Sequence, residues 1–500
     1  MSSGTVIKHM VYRSVILIMI KLLGVAARIP LFRVLGPEGI GLYQMVYAVY
    51  GFALTIIVGG LPTALALATA HSYARGRYLF IRLSAAVLAA GCMAGYASFR
   101  FSDTIAAYMG SDQLGTALRY MSPALCVVPL LAILRGHLQG LDMHGQIALS
   151  ELVEQIVRVT VMIAAVYAFT PYGLPHAVGG AISGAFAGAM AAVLFMALVI
   201  NGREMRSITA GKSSTSALSG HQSLRFFIVS SASLSATRFI VPLSDLLDAY
   251  LIPYRLQTSG YSASEAVSIF GELTGMGSLV VYMPVLLTVA LAYTLSTRLA
   301  GDWTSRRKSV FRSRSEYALR IGWLWGMASS FCLFAFADVW SALLFSNDSA
   351  ARAIRCLAVV PILAGIRELT TVILWAGARK SQPLLGLAAA IVGSLSCSYF
   401  LIAIPGFGYV GAVIGILALE VISTSWNAAA LAKTLRIALP LKQTVYDTVK
   451  IGMLLTGAYY SADWVFTWLS FQGTISGIVH MAVVGIAASL YIVMKIYARR

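Results

Sequence analysis

Apolar residues run along this chain in segments long enough to form membrane-spanning helices, separated by short polar stretches. A helix needs about 20 apolar residues to cross a hydrocarbon core roughly 30 Å thick. The pattern predicts fourteen spans, at residues 11–31, 41–68, 79–100, 115–136, 148–169, 177–200, 225–252, 268–296, 317–345, 353–376, 383–404, 408–432, 446–470 and 475–496.

The composition supports this interpretation. Hydrophobic residues make up 59% of the 500 positions and charged residues only 11%, and the mean hydropathy is +0.81. A soluble domain of this length has no core large enough to bury so much apolar surface. The chain is therefore predicted to be an all-α polytopic membrane protein.

Lysine and arginine indicate the orientation of the spans, because cytoplasmic loops carry the excess of positive charge. Most of the even-numbered spans are followed by a basic stretch, and the longest of these comes after span eight, with Arg298, Arg306, Arg307, Lys308, Arg312 and Arg314. Both termini are therefore predicted to be cytoplasmic. The net charge of +18 then follows from topology and anionic lipid, without a nucleic-acid partner.

The sequence offers no catalytic or metal-binding motif. The five cysteines, Cys92, Cys126, Cys332, Cys356 and Cys397, all lie in predicted spans without paired spacing, so neither a disulfide framework nor a metal site is expected. There is no phosphate-cradling glycine loop, zinc-ligand pair or G-x-S-x-G elbow. We expect no enzyme activity and no cofactor, and we expect the first apolar stretch to stay as a helix rather than be cleaved.

The two halves of the chain resemble each other. "VVPLLAILR" at 127–135 and "VVPILAGIR" at 359–367 place Arg135 and Arg367 equivalently, and Pro62 in span two corresponds to Pro284 in span eight. Each match relates one span to the span six later, so the repeat is parallel about an axis along the membrane normal. The predicted domains are an N-terminal lobe at 1–210, a C-terminal lobe at 211–445 and two extra helices at 446–500.

Charged and polar residues inside the spans are the candidate site. A charge at a helix centre costs about 2.5 to 3.5 kcal/mol on insertion scales, so such residues usually face a cavity or a partner. The candidate substrate-binding cations are Lys21, Arg28, Arg158, Arg238 and Arg367. The candidate cavity or coupling groups are Glu151, Glu154, Gln155, Asp245, Asp248, Glu272, Glu368 and Glu420. Their concentration in a few spans favours a central hydrated cavity.

Several of these residues also have a structural interpretation. Lys21 and Arg28 could snorkel to the two interfaces. Glu154 and Arg158, spaced i, i+4, could simply neutralise each other. Arg135 and Arg367 suit a topological or headgroup role as well as substrate contact, and Glu420 could be protonated between helices. The stripe of Tyr43, Tyr47 and Tyr50 is more typical of helix packing than of sugar stacking.

Four stretches carry a family resemblance: "KLLGVAARIPLFRVLGPEGIGLYQMVYAVYGFALTIIVGGLPTALA" from residue 21, "RGHLQGLDMHGQIALSELVEQIVRV" from 135, "DLLDAYLIPYRLQTSGY" from 245 and "GELTGMGSLVVYMPVLLTVALA" from 271. They resemble the stage V sporulation protein B branch of the polysaccharide exporters, in the multidrug/oligosaccharidyl-lipid/polysaccharide superfamily with the MurJ-type lipid II flippases. The resemblance implies two six-helix lobes around a central cavity, two further helices that form a lipid groove, and alternating access.

Carried over by position, the resemblance matches Lys21 to a cavity cation of the lipid II flippases. Ala27 takes the place of their next cation, and Arg28 follows one residue later. Glu272 stands where the branch commonly has glutamine. "FRVLGPEGIG" at 32–41 would be the outer turn between spans one and two, where glycines permit a tight reversal.

These features predict a flippase in the bacterial cytoplasmic membrane for an undecaprenyl-pyrophosphate-linked saccharide, such as a peptidoglycan or spore-cortex precursor. Cations suit a pyrophosphate, a wet cavity suits a saccharide, and the polyprenyl tail can stay in lipid. An unidentified ion or the membrane potential would drive it, and the expected partners are the lipid-linked oligosaccharide, membrane lipids and cell-envelope synthesis machinery. The alternatives are a teichoic or capsular repeat-unit flippase, a drug/cation antiporter, which would favour an acidic and aromatic cavity, and a non-transporting scaffold, which would not bear the cost of buried charges.

Overall fold

The computed structural model describes residues 3–200, 220–346, 348–438, 441–468 and 474–497. These residues form helices joined by short turns, and they contain no strand. The predicted all-α class is confirmed. Lys21 is the one candidate site residue whose side chain lies outside the described part.

Close packing divides the chain into two compact units, Met1–Pro253 and Tyr254–Arg500. Unit 1 contains α1 (Ser3–Ile57), α2 (Leu61–His71), α3 (Tyr73–Arg100), α4 (Ser102–Tyr108), α5 (Leu114–Gly140), α6 (His144–Phe169), α7 (Leu174–Ile200) and most of α8 (Gly220–Thr258). The unit boundary falls near the end of α8, whereas the sequence predicts lobe boundaries at 210 and 445, and those boundaries stay predictions.

Unit 2 contains the shorter and more often broken helices. They are α9 (Ala263–Phe270), α10 (Ser278–Tyr282), α11 (Val285–Thr304), α12 (Lys308–Ala335), α13 (Ala337–Phe345), α14 (Ala351–Leu357), α15 (Val360–Ala376), α16 (Ser381–Ile402), α17 (Gly408–Leu435), α18 (Leu441–Trp468) and α19 (Thr474–Tyr497). A π-helical segment, Gly271–Gly277, joins α9 to α10.

In the described part of the chain, nine helices are long and apolar enough to cross a membrane. The number rises to eleven if two bent pairs each count as one crossing: the helices on either side of Pro284, bent by 53°, and α14 with α15, bent by 46°. The chain is a multi-pass membrane protein. This count is consistent with fourteen spans, a number that stays a prediction.

The turn predicted at 32–41 between the first two spans is much shorter in the structure. Helical backbone continues on both sides of Gly36, which alone leaves it, with φ of 65° and ψ of −177°. A side chain disfavours that left-handed φ, so glycine is the suitable residue there, and Pro37 can begin the next helix because it needs no backbone N–H partner.

The two prolines that the repeat pairs both stand at helix breaks. Pro62 lies in the first turn of α2, just after the break between Ile57 and Leu61, and Pro284 immediately precedes α11. Proline lacks the N–H that would continue the helical ladder, so it favours a new helix start at both positions.

A row of glycines brings α7 onto α6, the helix that carries Glu154 and Arg158. A Cβ added at Gly184 would lie 2.6 Å from the Arg158 carbonyl oxygen, and one added at Gly188 would lie 2.6 Å from that of Glu154. Only hydrogen in place of a side chain permits this approach of two backbones, as in small-xxx-small packing of membrane helices. One face of α6 is therefore fixed against α7.

Candidate functional site

Unit 1 contains a network of two half-buried arginines on one buried carboxylate. Arg158 Nη2 on α6 donates to Glu154 Oε1, and Arg135 Nη1 on α5 donates to Glu154 Oε2 at 2.6 Å. Arg135 Nε also donates to Ser150 Oγ at 3.0 Å. The predicted i, i+4 pair is confirmed, and it has a second cation. Two cations and one anion leave a net charge of +1.

Part of the donor capacity of this network is unused. Arg135 Nη2, Arg158 Nε and the Tyr50 hydroxyl are buried and have no hydrogen-bond partner among the described residues. Such groups carry a desolvation cost that an acceptor would remove. Tyr50 is only 6% exposed, and it interacts electrostatically with both Arg158 and Glu154.

The tyrosine stripe lies beside this network. The Tyr43 and Tyr47 ring centroids are 4.9 Å apart, and those of Tyr47 and Tyr50 are 5.8 Å apart. Tyr43 and Tyr50 are buried, which agrees with helix packing, and all three tyrosines interact electrostatically with Arg158. The stripe therefore forms one wall of the Arg158 environment.

Residues of the first helix reach the same region. A Cβ added at Gly24 would lie 3.3 Å from Gln155 Nε2 on α6. Arg28 is exposed and interacts electrostatically with Tyr43. Gln155 and Arg28 thus lie on the side of unit 1 that also holds Arg158.

Arg238, a predicted substrate-binding cation, binds the break that precedes α2. Its Nη1 donates to the Gly59 carbonyl oxygen at 3.1 Å and its Nη2 to Thr63 Oγ1 at 2.9 Å. Ser235 Oγ accepts the Gly60 N–H at 2.8 Å. A cavity of about 220 Å³ lies beside Arg238, lined also by Leu54, Thr55, Val58, Gly59, Val128 and Ala132. Arg238 thus makes hydrogen bonds to the end of the broken helix. Its contact with the substrate stays a prediction.

The other predicted carboxylates of unit 1 lie nearer the surface. Asp245 is exposed, and Asp248 and Glu151 are half-buried. Asp245 and Asp248 interact electrostatically with each other one turn apart on α8. The residues that the structure describes include no cluster of three or more histidine, cysteine or acidic side chains that could hold a metal ion.

Unit 2 has a corresponding network with the opposite charge balance. Arg367 Nε lies 2.8 Å from Glu420 Oε2, and its Nη1 lies 3.1 Å from Glu368 Oε1. The Tyr282 hydroxyl donates to Glu420 Oε1 at 2.7 Å. Glu420 is 1% exposed. One cation and two anions leave this network at −1.

Glu272 lies in the π-helical segment of unit 2, a geometry that often occurs at functional sites. It is half-buried and interacts electrostatically with Arg352. The Arg352 guanidinium lies over the Tyr409 ring, 3.8 Å from its centroid. Glu272 therefore has a local cation, although the contact lies apart from the Arg367 network along the chain.

An apolar groove of about 540 Å³ follows α12 and α19 in unit 2. Trp325, Leu333 and Trp340 line one side, and Ile486, Leu490 and Val493 line the other. The Trp340 indole Nε1 is buried without a partner in the described part of the chain. The groove has the character expected for the lipid groove that the resemblance implies.

A buried carboxylate holds the C-terminal helices to α12. Asp447 of α18 is fully buried; it pairs with Arg320 of α12, and its Oδ1 lies 2.9 Å from Lys495 Nζ of α19. Trp323 Nε1 donates to Thr448 Oγ1 at 2.9 Å beside this contact. These pairs join three helices, two of which line the groove.

The sequence alone gave no signal for three residues of these networks: Ser150, Tyr282 and Asp447. For Arg135 the sequence left a topological or headgroup role open beside substrate contact, and its match to Arg367 in the repeat was the signal for a shared role. Ser150 and Tyr282 carry no charge inside their spans, so hydropathy gave no signal for them. Asp447 was missed because its partners lie far away along the chain.

Sequence comparison relates the chain to proteins of Bacillus subtilis. It is 25% identical to the stage V sporulation protein B of that organism over 436 residues, which is 85% of this chain and 83% of the relative. It is also 29% identical over 161 residues to the lipid II flippase MurJ of Bacillus subtilis, covering 29% of this chain and 30% of the relative. These relatives support the expectation of a transporter rather than an enzyme.

Solved structures show the same fold. The lipid II flippase MurJ in an inward closed conformation aligns with a TM-score of 0.72 at 13% identity, over 98% of this chain and 99% of that chain. An inward-facing multidrug resistance MATE family transporter of the MOP superfamily aligns with a TM-score of 0.65 at 14% identity, over 83% of this chain and 96% of that chain. The predicted superfamily fold is confirmed.

The family model described as "Polysaccharide biosynthesis protein" matches residues 6–296. This match covers more than half of the chain. It includes the complete arginine network of unit 1, together with Arg238 and Glu272. The chain therefore belongs to the polysaccharide biosynthesis protein family.

Proposed function

We propose that this chain is a flippase that carries a lipid-linked saccharide from the cytoplasmic to the outer leaflet of the bacterial cytoplasmic membrane. The observation that carries the proposal is the excess of positive charge on Arg135 and Arg158, two half-buried arginines that share the buried Glu154 in unit 1. A membrane helix bears the cost of such charges when they serve a ligand. Membership of a polysaccharide biosynthesis family and a lipid II flippase among the relatives indicate the kind of ligand.

The headgroup of such a substrate suits arginine. A pyrophosphate link presents several acceptor oxygens, and a guanidinium offers planar, forked donors that match them. Arg158, with its unused Nε, is the main proposed contact. The exposed Arg28 is a second cation at the edge of the same region. Lys21, Arg238 and Arg367 are further proposed contacts.

The lipid tail suits the groove between α12 and α19. A polyprenyl chain is apolar and gains nothing from crossing a wet cavity, so it would stay in lipid while the headgroup moves. The groove offers aromatic and aliphatic walls to such a chain. We propose that it guides the tail beside the protein.

Transport across the membrane needs alternating access and an energy source. The net negative network of Arg367, Glu368 and Glu420 gives unit 2 carboxylates that suit coupling to a cation. Asp245, Asp248 and Glu272 are further proposed coupling groups. Both termini face the cytoplasm in this proposal, and the envelope synthesis machinery supplies the substrate.

Reconstituted vesicles test the function directly. The protein is placed in vesicles that contain fluorescent lipid II, and a membrane-impermeant quencher reports the fraction in each leaflet over time. We expect faster exchange than in empty vesicles, and loss of that exchange in Arg158→Gln. The matched control is Glu316→Gln, which breaks an i, i+4 pair with Arg312 of 2.7 Å outside the network. Exchange no faster than in empty vesicles would contradict the proposal.

A polysaccharide repeat unit is the second candidate cargo, because the family description names polysaccharide synthesis. The same vesicles loaded with an undecaprenyl-pyrophosphate-linked repeat unit separate the two. Faster exchange of the repeat unit than of lipid II would favour the second cargo. The shared pyrophosphate predicts that Arg158→Gln impairs both.

A further inference from the structure

We propose that Glu154 is an internal counter-ion that occupies the arginine site while it is empty, and that the phosphate group of the substrate displaces it from Arg158. This inference rests on the proposed function and deepens it. In this proposal Arg158 binds the anion and Arg135 stays paired with Glu154. Glu154 determines the affinity for the anion and its rate of release.

The first step is the count of donors and acceptors. Glu154 offers two oxygens, and each arginine takes one of them. Arg135 Nη2 and Arg158 Nε are left without acceptors in the described residues, and so is the buried Tyr50 hydroxyl. A carboxylate cannot satisfy all of these groups, whereas a phosphate or diphosphate has more acceptor oxygens.

The second step is the contrast with unit 2. There the repeat places a single arginine, Arg367, between Glu368 and Glu420. That network keeps an excess of negative charge, and among the described residues it leaves no buried nitrogen of Arg367 without a partner. The network of unit 1 keeps an excess positive charge and unused donors, as an anion site requires.

The third step identifies which arginine moves. Arg135 is held twice, by Glu154 and by Ser150, and Ser150 is fully buried. Among the described residues Arg158 has one hydrogen-bond partner, Glu154, and its side chain is more exposed, at 28% against 19% for Arg135. Arg158 can therefore turn to an incoming anion while Arg135 keeps Glu154 neutralised.

A displaceable counter-ion gives the site a specific property. With the substrate bound, Arg158 exchanges one anion for another, so the site is not left with an unpaired charge when the substrate leaves. Because Glu154 returns to Arg158 as the anion departs, it weakens binding and speeds release. Removal of this carboxylate should tighten binding and slow turnover.

Binding of a short soluble isoprenoid diphosphate tests the proposal in the full-length protein in nanodiscs. The probe is farnesyl diphosphate, and farnesol serves as the uncharged control. We expect Glu154→Gln to lower the Kd for farnesyl diphosphate at least threefold and Arg158→Gln to raise it at least tenfold, with no change for farnesol. Glu316→Gln, which releases Arg312 outside the site, is expected to leave both values unchanged.

A second variant separates the effect on binding from an effect of misfolding. Glu154→Asp keeps a negative charge for Arg135 but is one methylene shorter, so it loosens the hold on Arg158 and should also lower the Kd. In transport, both Glu154 variants should lower KM and kcat together, which a merely structural role would not do. A Kd equal to or above that of the wild type in the folded variants would overturn the counter-ion role.

The two proposals fail in different ways. If the wild type exchanges lipid II and the Glu154 variants bind farnesyl diphosphate no more tightly, only the counter-ion role is wrong. If the wild type neither binds farnesyl diphosphate nor exchanges lipid-linked saccharides, the proposed function itself is wrong.

Discussion

Arg367 contacts both carboxylate oxygens of Glu420, with Nε 2.8 Å from Oε2 and Nη2 3.3 Å from Oε1. The pair joins α15 to α17, whereas the equivalent Arg135 pairs with Glu154 on α6. The repeat therefore preserves the arginine and changes the helix that supplies its partner. The two halves of the sequence repeat thus carry opposite charge balances, and this difference makes specific predictions for mutation.

In unit 2, loss of the arginine should cost more than loss of the carboxylate. Arg367→Gln leaves Glu420, which is 1% exposed, without a cation, and an uncompensated buried charge costs about 3 to 5 kcal/mol. Glu420→Gln leaves Arg367 with Glu368 at 3.1 Å, so a smaller loss is expected. Thermal unfolding of the purified variants measures both, and the double variant should recover most of the loss. Additive losses would contradict the pairing.

In unit 1, the order should reverse. Glu154→Gln leaves two arginines without their shared anion, whereas Arg158→Gln leaves Glu154 with Arg135 at 2.6 Å. We therefore expect the larger fall in yield and melting temperature for Glu154→Gln. The double variant should recover only part of the loss, because Arg135 stays unpaired. Full recovery of stability and transport in that double variant would show that neither Arg135 pairing nor substrate contact by Arg158 matters.

Alanine at Gly188 should disturb the same network through the backbone. The added Cβ would meet the Glu154 carbonyl oxygen at 2.6 Å and the Arg158 Cβ at 2.9 Å, so α6 and α7 must separate. Overpacking of this kind costs about 1 to 3 kcal/mol. Gly145→Ala, near the start of α6, is the control, because nothing lies within 4 Å of its added Cβ. A Gly188→Ala protein as stable as the Gly145→Ala control would contradict the close packing.

Much of the fold could be predicted from the sequence because a membrane-spanning helix must be apolar and long enough to cross the hydrocarbon core. The position of Glu154 relative to Arg158 was also predictable, since both lie on one helix with i, i+4 spacing. Contacts between helices were harder to predict: Arg135 with Glu154, Tyr282 with Glu420 and Asp447 with its cations depend on which helix faces cross, and this information is not local.

The turn predicted at 32–41 shows a second limit. Glycine and proline correctly marked a break in the helix, but not its length, because residues on both sides of Gly36 still form helical hydrogen bonds. In Arg238, the charge was visible in the sequence. The hydrogen bond from Arg238 to the Gly59 carbonyl oxygen could not be predicted, because it depends on where the neighbouring helix ends.

Neutralising Asp447 should loosen the C-terminal helices. Asp447→Asn leaves Arg320 and Lys495 without their shared anion, and we expect a fall in melting temperature and faster proteolysis of α18 and α19. Asp463→Asn on the same helix is the control, because that residue is exposed. Lipid II exchange should fall with Asp447→Asn if the groove between α12 and α19 guides the tail. A variant with unchanged melting temperature and proteolysis would refute the anchoring role.

Cysteine labelling should find residue 306 on the cytoplasmic side and residue 260 on the outer side. The reason is the positive charge from the last turns of α11 to the start of α12, where Arg298, Arg306, Arg307 and Lys308 are exposed, since positive charge stays on the cytoplasmic side. Gly260, in the turn between α8 and α9, lies one crossing away.

The experiment begins from a protein without its native cysteines, because Cys92 and Cys356 are exposed. Single cysteines at 306 and 260 are then compared in intact cells and in permeabilised cells with a membrane-impermeant maleimide. Labelling at 260 in intact cells and at 306 only after permeabilisation is expected. Labelling of both in intact cells would mean that an odd number of crossings does not separate them, and labelling of 306 alone would invert the orientation, placing the α11–α12 stretch outside and removing the basis for cytoplasmic termini.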